Sequence, residues 1–316
     1  MTTHEISRRS LVLGAAGVSA FTAGCERARK RTAFVSVTKA PAYSTDLALE
    51  IRRLLNRHRV AIQGKHIVLK PNLVEFDRGS AINTHPAIVL GALEAVRSLG
   101  AAGVQIAEGP GHRRITMDLA AGAGYFQTIP KFEESFVDLN LDDVEYRKFS
   151  HANSTLKGLY LPRTILYCDL VISLPKMKTH HWAGATLSMK NFFGIVPGGV
   201  YGWPKNILHW SGIHECIADL QRVVPKKFAI VDGIDAMEGN GPIQGTTKHV
   251  GVLVAGADLP AVDATCCRIM GIDPTKLGYL RLAGLDRFDI KQLEENPASL
   301  AKPFSLLPEL QHLRLS

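Results

Sequence analysis

The sequence predicts an α/β protein: a mostly parallel sheet flanked by helices, folded as one large domain or two intimate lobes. Two observations carry this prediction. Short β-branched, apolar runs alternate with stretches of helical period along most of the chain, the pattern of repeated strand–helix units. The strand-like runs are also apolar throughout rather than alternating, as expected where helices cover both faces of a sheet.

Taken in order, residues 33–37 read as a strand, and a helix follows from about 45 to 57 with Leu47, Ile51, Leu54 and Leu55 on one face. Residues 66–70 form a buried strand stopped by Pro71. Thr84 caps a helix that carries Pro86 in its first turn and ends at Gly100. Residues 104–108 are the next strand, opening into Gly109-Pro110-Gly111-His112. Later strands fall at 169–174, 228–231 and 250–254, with helices near 184–193, 213–223 and 260–270. Beyond about residue 287 the pattern is weak and reads as a capping tail. The chain therefore divides into a targeting segment (1–24), a basic tether (25–32), an α/β domain (33–287) and a C-terminal tail (288–316). Ligands of such sheets bind outside the carboxyl ends of the strands. Loops at 70–72, 108–114, 175–181 and 232–240 are thus expected around one crevice.

The N-terminus reads as a secretory leader. Ser7-Arg8-Arg9-Ser10-Leu11-Val12 matches the twin-arginine export pattern, and residues 11–24 form an apolar run too short to span a bilayer comfortably. Thr22-Ala23-Gly24-Cys25 matches a lipoprotein cleavage box except that Thr22 stands where Leu is usual, so lipid attachment at Cys25 is expected. Arg27, Arg29, Lys30 and Arg31 then form a tether suited to anionic headgroups. The expected partners are the twin-arginine export machinery, a membrane reached through Cys25 and a small anionic ligand, at an extracytoplasmic location. The net charge of +8 accompanies no helix-turn-helix, zinc-finger or RNA-binding signature, so nucleic acid is not expected. Cys168, Cys216, Cys266 and Cys267 show no Cys-x-x-Cys or ferredoxin spacing, so neither an iron–sulfur cluster nor structural zinc is expected.

The candidate site lies in residues 171–214, which contain no Asp, Glu or Arg, although the chain holds 29 acids in 316 residues. This stretch carries Lys176, Lys178, Lys190, Lys205, His180, His181, His209, His214 and all three tryptophans. Cations without counter-ions repel one another, so the cluster reads as a site for phosphate, carboxylate or an anionic cofactor. Lys70, Asn72, His112, Lys176 and Lys178 are expected to bind substrate or cofactor at strand ends. His180, His181 and Lys190 are expected to move protons, with one of the two adjacent histidines facing the site and the other packing or capping. Residues 232–242 read as an acidic loop whose Asp232 and Glu238, with His209, could ligate a divalent cation, or could pair with the lysines. Gly109-Pro110-Gly111 lacks the Walker pattern, and no Gly-x-Ser-x-Gly elbow is present.

Five stretches together resemble a functionally undefined family, domain of unknown function 362. They are Lys70-Pro71-Asn72-Leu73, Ser173-Leu174-Pro175-Lys176-Met177-Lys178-Thr179-His180, Ser188-Met189-Lys190-Asn191-Phe192-Phe193-Gly194, Val231-Asp232-Gly233 through Gly241-Pro242, and Asp258-Leu259-Pro260-Ala261-Val262-Asp263. Some members carry a ferredoxin-like module, which this chain lacks. A second resemblance is to nickel-pincer lactate racemases, through Gly111-His112-Arg113 and the ten-residue spacing of His180 and Lys190, although Leu187-Ser188 replaces that family's glycine pair. It implies that Lys190 anchors a nickel-pincer nucleotide, His180 and His112 handle protons, and His209 ligates nickel. The function expected is that of an exported enzyme, isomerase-like or otherwise cofactor-dependent, handling a small anion. The alternative is an extracytoplasmic anion-binding protein without catalysis.

Overall fold

The computed structural model describes residues 30–44, 46–77, 79–111, 115–224 and 226–315. The leader with Cys25, and the His112-Arg113-Arg114 turn, lie outside the described residues. The strands are β1 (Arg31–Lys39), β2 (His66–Pro71), β3 (Gly103–Glu108), β4 (Phe136–Asp138), β5 (Val144–Lys148), β6 (Gly158–Pro162), β7 (Leu170–Leu174), β8 (Lys176–His180), β9 (Gly184–Thr186), β10 (Lys227–Glu238), β11 (Thr246–Gly256) and β12 (Phe288–Glu294). One mixed sheet runs β12-β1-β11-β10-β7-β2-β3-β4, with β8 on β10 and β9 on β8, while β5 and β6 pair separately. Most pairings are parallel; β11 is antiparallel to both β1 and β10, and β9 to β8.

Alternation along each strand sends successive side chains into two cores. Ile67, Leu69, Ile172, Phe228 and Ile230 pack under the helices Leu47–Arg57 and Pro86–Ser98. Val68, Val171, Ala229 and Val231 pack on the opposite face, under the helices Ile213–Val223 and Leu259–Ile269. Two buried faces explain the uninterrupted apolar runs. Because the sheet is continuous from β12 to β4, the chain forms one α/β domain rather than two lobes. Residues 288–294 are its outermost strand, so the segment read as a tail completes the sheet.

Three elements differ from expectation, and all three lie at the site. Pro175 does not end the strand pattern: the chain continues as β8 alongside the long β10, which reaches back with Asp232 N–H donating to the Pro175 carbonyl at 2.8 Å. The expected acidic loop is the second half of β10, with a register shift between Gly233 and Asp235. A Cβ on Gly233 would stand 2.9 Å from Met177 Cε and Val252 Cγ2, so this glycine serves close packing. Residues 184–193 are not one helix. Gly184 sits at φ +79° in β9, and a 3-10 helix, Lys190–Ile195, follows. The Ser188 hydroxyl and backbone N–H both bind Asp263, which takes those groups out of any helical ladder.

Candidate functional site

A cavity of about 810 Å³ opens beside β8, lined by Asn72, Glu108, Lys178, His180, His181, Thr186, Lys190, Lys205 and His209 among others. It lies beyond the carboxyl ends of β2 and β3, where the sheet topology predicts a site. As a strand, β8 places Lys176, Lys178 and His180 on one face by its two-residue period. His181 follows the strand end, so it escapes that alternation. Both histidines line the cavity, their rings stacked with centroids 4.8 Å apart, and His180 at the same time caps the backbone N–H groups of the turn that follows.

The lysines divide into two classes. Lys70 and Lys176, expected to bind ligand, are instead held in internal ion pairs. Lys70 Nζ lies 2.8 Å from Glu108 Oε2, and Glu108 also accepts from the N–H groups of Leu73 and Gly109. Lys176 Nζ lies 2.7 Å from Asp232 Oδ2 and donates to the Tyr43 hydroxyl and the Asp235 carbonyl. Isolated burial would discharge these amines, so each is matched by a carboxylate from a neighbouring strand.

Lys178, Lys190 and Lys205 are different. Each is buried, and none forms an ion pair with a carboxylate of the described residues. Lys178 Nζ donates to the carbonyls of Ile82 at 2.8 Å and Pro242 at 3.3 Å, and Lys205 Nζ to that of Gly109. Lys190 Nζ lies over the face of Phe193, 4.1 Å from the ring centroid, with no hydrogen-bond acceptor among the described residues. Burial pushes the Lys190 and Lys205 amines down to about 7. Lys178 is pushed well below its usual value by burial first and then by the charges of Lys190 and Lys176.

The hydrogen bonds of the two histidines assign opposite roles to their outer nitrogens. His180 Nδ1 accepts from the backbone N–H groups of Trp182 at 3.0 Å and Ala183 at 3.1 Å. A neutral ring then carries its proton on Nε2. Burial, followed by the charge of Lys190, holds His180 well below the usual imidazole range, which keeps it neutral. His181 Nδ1 lies 2.9 Å from the Gly241 carbonyl and can only donate to it, leaving a bare lone pair on Nε2. The wall therefore presents one N–H donor and one base side by side. His209 is lowered to about 4, by burial and then by Lys190. The Lys205 backbone acts on its ring as a hydrogen-bond partner, while Asn72 Oδ1 and Thr186 Oγ1 are buried without a hydrogen-bond partner among the described residues.

The expected metal set does not assemble. Asp232 is committed to Lys176, and Glu238 lies 2.8 Å from Lys248 Nζ and accepts from Ser305 N–H, which leaves His209 alone. Both acids sit in β10, where the sheet's own cations reach them. Among the described residues no group of three His, Cys, Asp or Glu could hold a metal ion.

Several contributors were not singled out from sequence. Lys205 was seen only as part of the basic stretch, and Glu108 only as a loop boundary. Asp263, which the sequence shows only as the last residue of the Asp258–Asp263 stretch, lies buried in Leu259–Ile269 and accepts from Ser188 N–H at 2.8 Å and Met189 N–H at 3.2 Å. It fixes the turn that delivers Lys190. The only sequence signal for it was an acid on an otherwise apolar helix face.

Gly194 closes the floor. A Cβ there would lie 1.9 Å from Glu108 Oε1 and 2.6 Å from Lys70 Nζ. Gly194→Ala is expected to destabilise the fold by about 1–3 kcal/mol or more, because overpacking would also disturb the buried ion pair. Urea unfolding checks this; an unchanged midpoint would contradict the floor geometry.

The family model described as Domain of unknown function (DUF362) matches residues 67–268. A thylakoid-associated protein of Synechocystis sp. is 28% identical over 222 residues, covering 68% of this chain and 65% of its own length. The chain thus spans just under two thirds of that relative. Among solved structures, the lactate racemase apoprotein of Thermoanaerobacterium thermosaccharolyticum is similar at 14% identity and a TM-score of 0.44, over 77% of this chain and 57% of that one. A Thermotoga maritima protein is similar at 10% identity and a TM-score of 0.38, over 82% and 62%.

Proposed function

This chain belongs to the DUF362 family, a domain of unknown function, and we propose that it is an exported enzyme acting on a small anion in the Lys/His cavity. One observation carries the reading: Lys178, Lys190 and Lys205 surround a single cavity without a carboxylate of the described residues to match them. An ammonium has three donors. Lys178 spends two on carbonyls and Lys205 one, so N–H groups remain for a carboxylate or phosphate oxygen. His180 Nε2–H would donate to a second substrate oxygen, and His181 Nε2 would take a proton. That pairing distinguishes an enzyme from a binder, since binding alone needs only the cations. The twin-arginine pattern at Arg8-Arg9 and the Cys25 box support export and a lipid anchor, and the thylakoid association in the name of the Synechocystis relative supports a place at a membrane.

Sulfate, phosphate and small carboxylates are expected to raise the melting temperature of the full chain, and Lys178→Met to remove that rise. His181→Ala is expected to keep the rise while losing turnover. Anions that leave the melting temperature unchanged would overturn the reading; turnover intact in His181→Ala would reduce the protein to a binder or move the base elsewhere.

A second reading is favoured by the place of His209 on the cavity wall beside Lys190, whose charge lowers the imidazole. In it Lys190 holds a nickel-pincer nucleotide and His209 is the protein ligand, and the group when bound supplies a metal centre to the cavity. Elemental analysis and intact mass of protein purified from its own host test this. Nickel with a modified Lys190 supports it, and an unmodified metal-free chain rejects it.

A further inference from the structure

We infer that Lys190 is a covalent nucleophile, forming an imine with a small carbonyl compound whose carboxylate is held by Lys178 and Lys205. This rests on the anion-site reading above and assigns the substrate class to it. Five buried lysines lie at or beside the cavity, and four of them have oxygen acceptors. Lys70 and Lys176 have carboxylates and carbonyls, while Lys178 and Lys205 have carbonyls. Lys190 has none among the described residues; its one contact is the Phe193 ring face, which offers no acceptor in the plane of a lone pair. It is also the most open of the three unpaired amines, 9% exposed against 0% for Lys178 and 3% for Lys205. Its amine is thus the one presented to a ligand, and Asp263 holds the two preceding residues by their backbone N–H groups. Burial keeps it near 7, so a large share is neutral at neutral pH, the form that attacks a carbonyl.

The surrounding groups supply what an imine needs. Lys190 Nζ gives its lone pair to the carbonyl carbon, the new C–N bond forms, and the C=O π pair moves to oxygen. That oxygen accepts a hydrogen bond from His180 Nε2–H, which keeps its proton, while the proton lost from Nζ passes to His181 Nε2 and from there to the oxygen, giving a neutral carbinolamine. In the second half the nitrogen lone pair closes the C=N bond as the C–O bond breaks, and the remaining nitrogen proton passes through His181 Nε2 to the departing hydroxide, which leaves as water. Amine and carbonyl become imine and one water, with no change of oxidation state.

The test incubates the full chain with glyoxylate or pyruvate and sodium cyanoborohydride at pH 7, then maps modified lysines by peptide mass spectrometry. The hydride reduces any imine to a stable secondary amine. Lys190 is expected to be labelled about ten-fold or more faster than exposed lysines, whose pKa near 10.4 keeps them charged. Sulfate is expected to slow this labelling, and Lys190→Arg, which keeps a cation, to abolish it at this position with the fold intact by circular dichroism. Labelling spread over exposed lysines, no labelling, or a Lys190 already carrying another group would each overturn the imine. Sulfate stabilisation without Lys190 labelling overturns the imine and leaves the anion site standing. Labelling at Lys190 that sulfate does not slow overturns the anion site.

Discussion

Lys70→Met is expected to cost about 3–5 kcal/mol of unfolding free energy, the range for removing one member of a buried ion pair. Lys70 is fully buried and Glu108 only 1% exposed, so bulk water is a poor substitute for the lost ammonium. The carboxylate would keep the N–H groups of Leu73 and Gly109 but lose its counter-ion. Asn191 would also lose the amine on its Oδ1, although its own amide still donates to the Lys70 carbonyl and Ser173 Oγ. Adding Glu108→Gln should recover part of the loss, since it removes the unpaired charge, although its single amide oxygen can accept from only one of the two N–H groups. Guanidinium unfolding at pH 7 measures both variants; a loss below about 1 kcal/mol for Lys70→Met would show that the pair is not what holds β2 against β3.

Both the framework and the location of the site were legible in the sequence, because each is written in patterns of three or more residues. Apolar runs such as Ile67-Val68-Leu69 and Val171-Ile172 feed both cores, and the acid-free stretch marks the cavity wall. The roles of single charges were not legible, because a charge's partner is chosen by strand neighbours distant in sequence. Lys176 and Lys178 look alike in Lys176-Met177-Lys178. The register of β8 on β10 puts Asp232 opposite Lys176, while Lys178 stands opposite Met237. That difference makes one lysine an internal pair and the other a cavity cation. Gly233 and Pro175 misled for the opposite reason: both are turn formers locally, and here close packing and the reach of β10 overrule them.

The second large effect is on stability against pH. In the fold Lys190 and Lys205 titrate at about 7, against about 10.4 in an unfolded chain. Between these values the unfolded state binds more protons, so stability rises with pH and is lost as pH falls toward 7. Each amine contributes a slope of up to roughly 1.4 kcal/mol per pH unit. Lys178 acts in the same direction, and so do His180 and His209 at lower pH, below the usual imidazole value. Outside the cavity, Lys227, lowered to about 8 by burial, adds to the same trend. Asp263, raised by burial to about 7, opposes the trend up to and around pH 7, and the buried thiols of Cys168 and Cys216, raised by burial to about 11, oppose it once free thiols ionise. Urea unfolding should therefore be compared between pH 7 and about 8.5, the ordinary thiol value. Stability is expected to increase over this window, and Lys190→Met to flatten the increase while leaving a folded protein. Stability that falls or stays level in the wild type would mean that these amines are not buried as cations without partners.

The account depends on cations that an anion can complete, and titration calorimetry with sulfate measures this most directly. At pH 8 Lys190 and Lys205 are largely neutral, while sulfate carries no titrating group near that pH. Binding must then draw protons onto the amines, and affinity should fall as pH rises. In two buffers of different ionisation enthalpy, the heats should differ by an uptake of about one proton or more per sulfate, reduced in Lys190→Met. Sulfate that does not bind, or binds without proton uptake, would contradict the central claim.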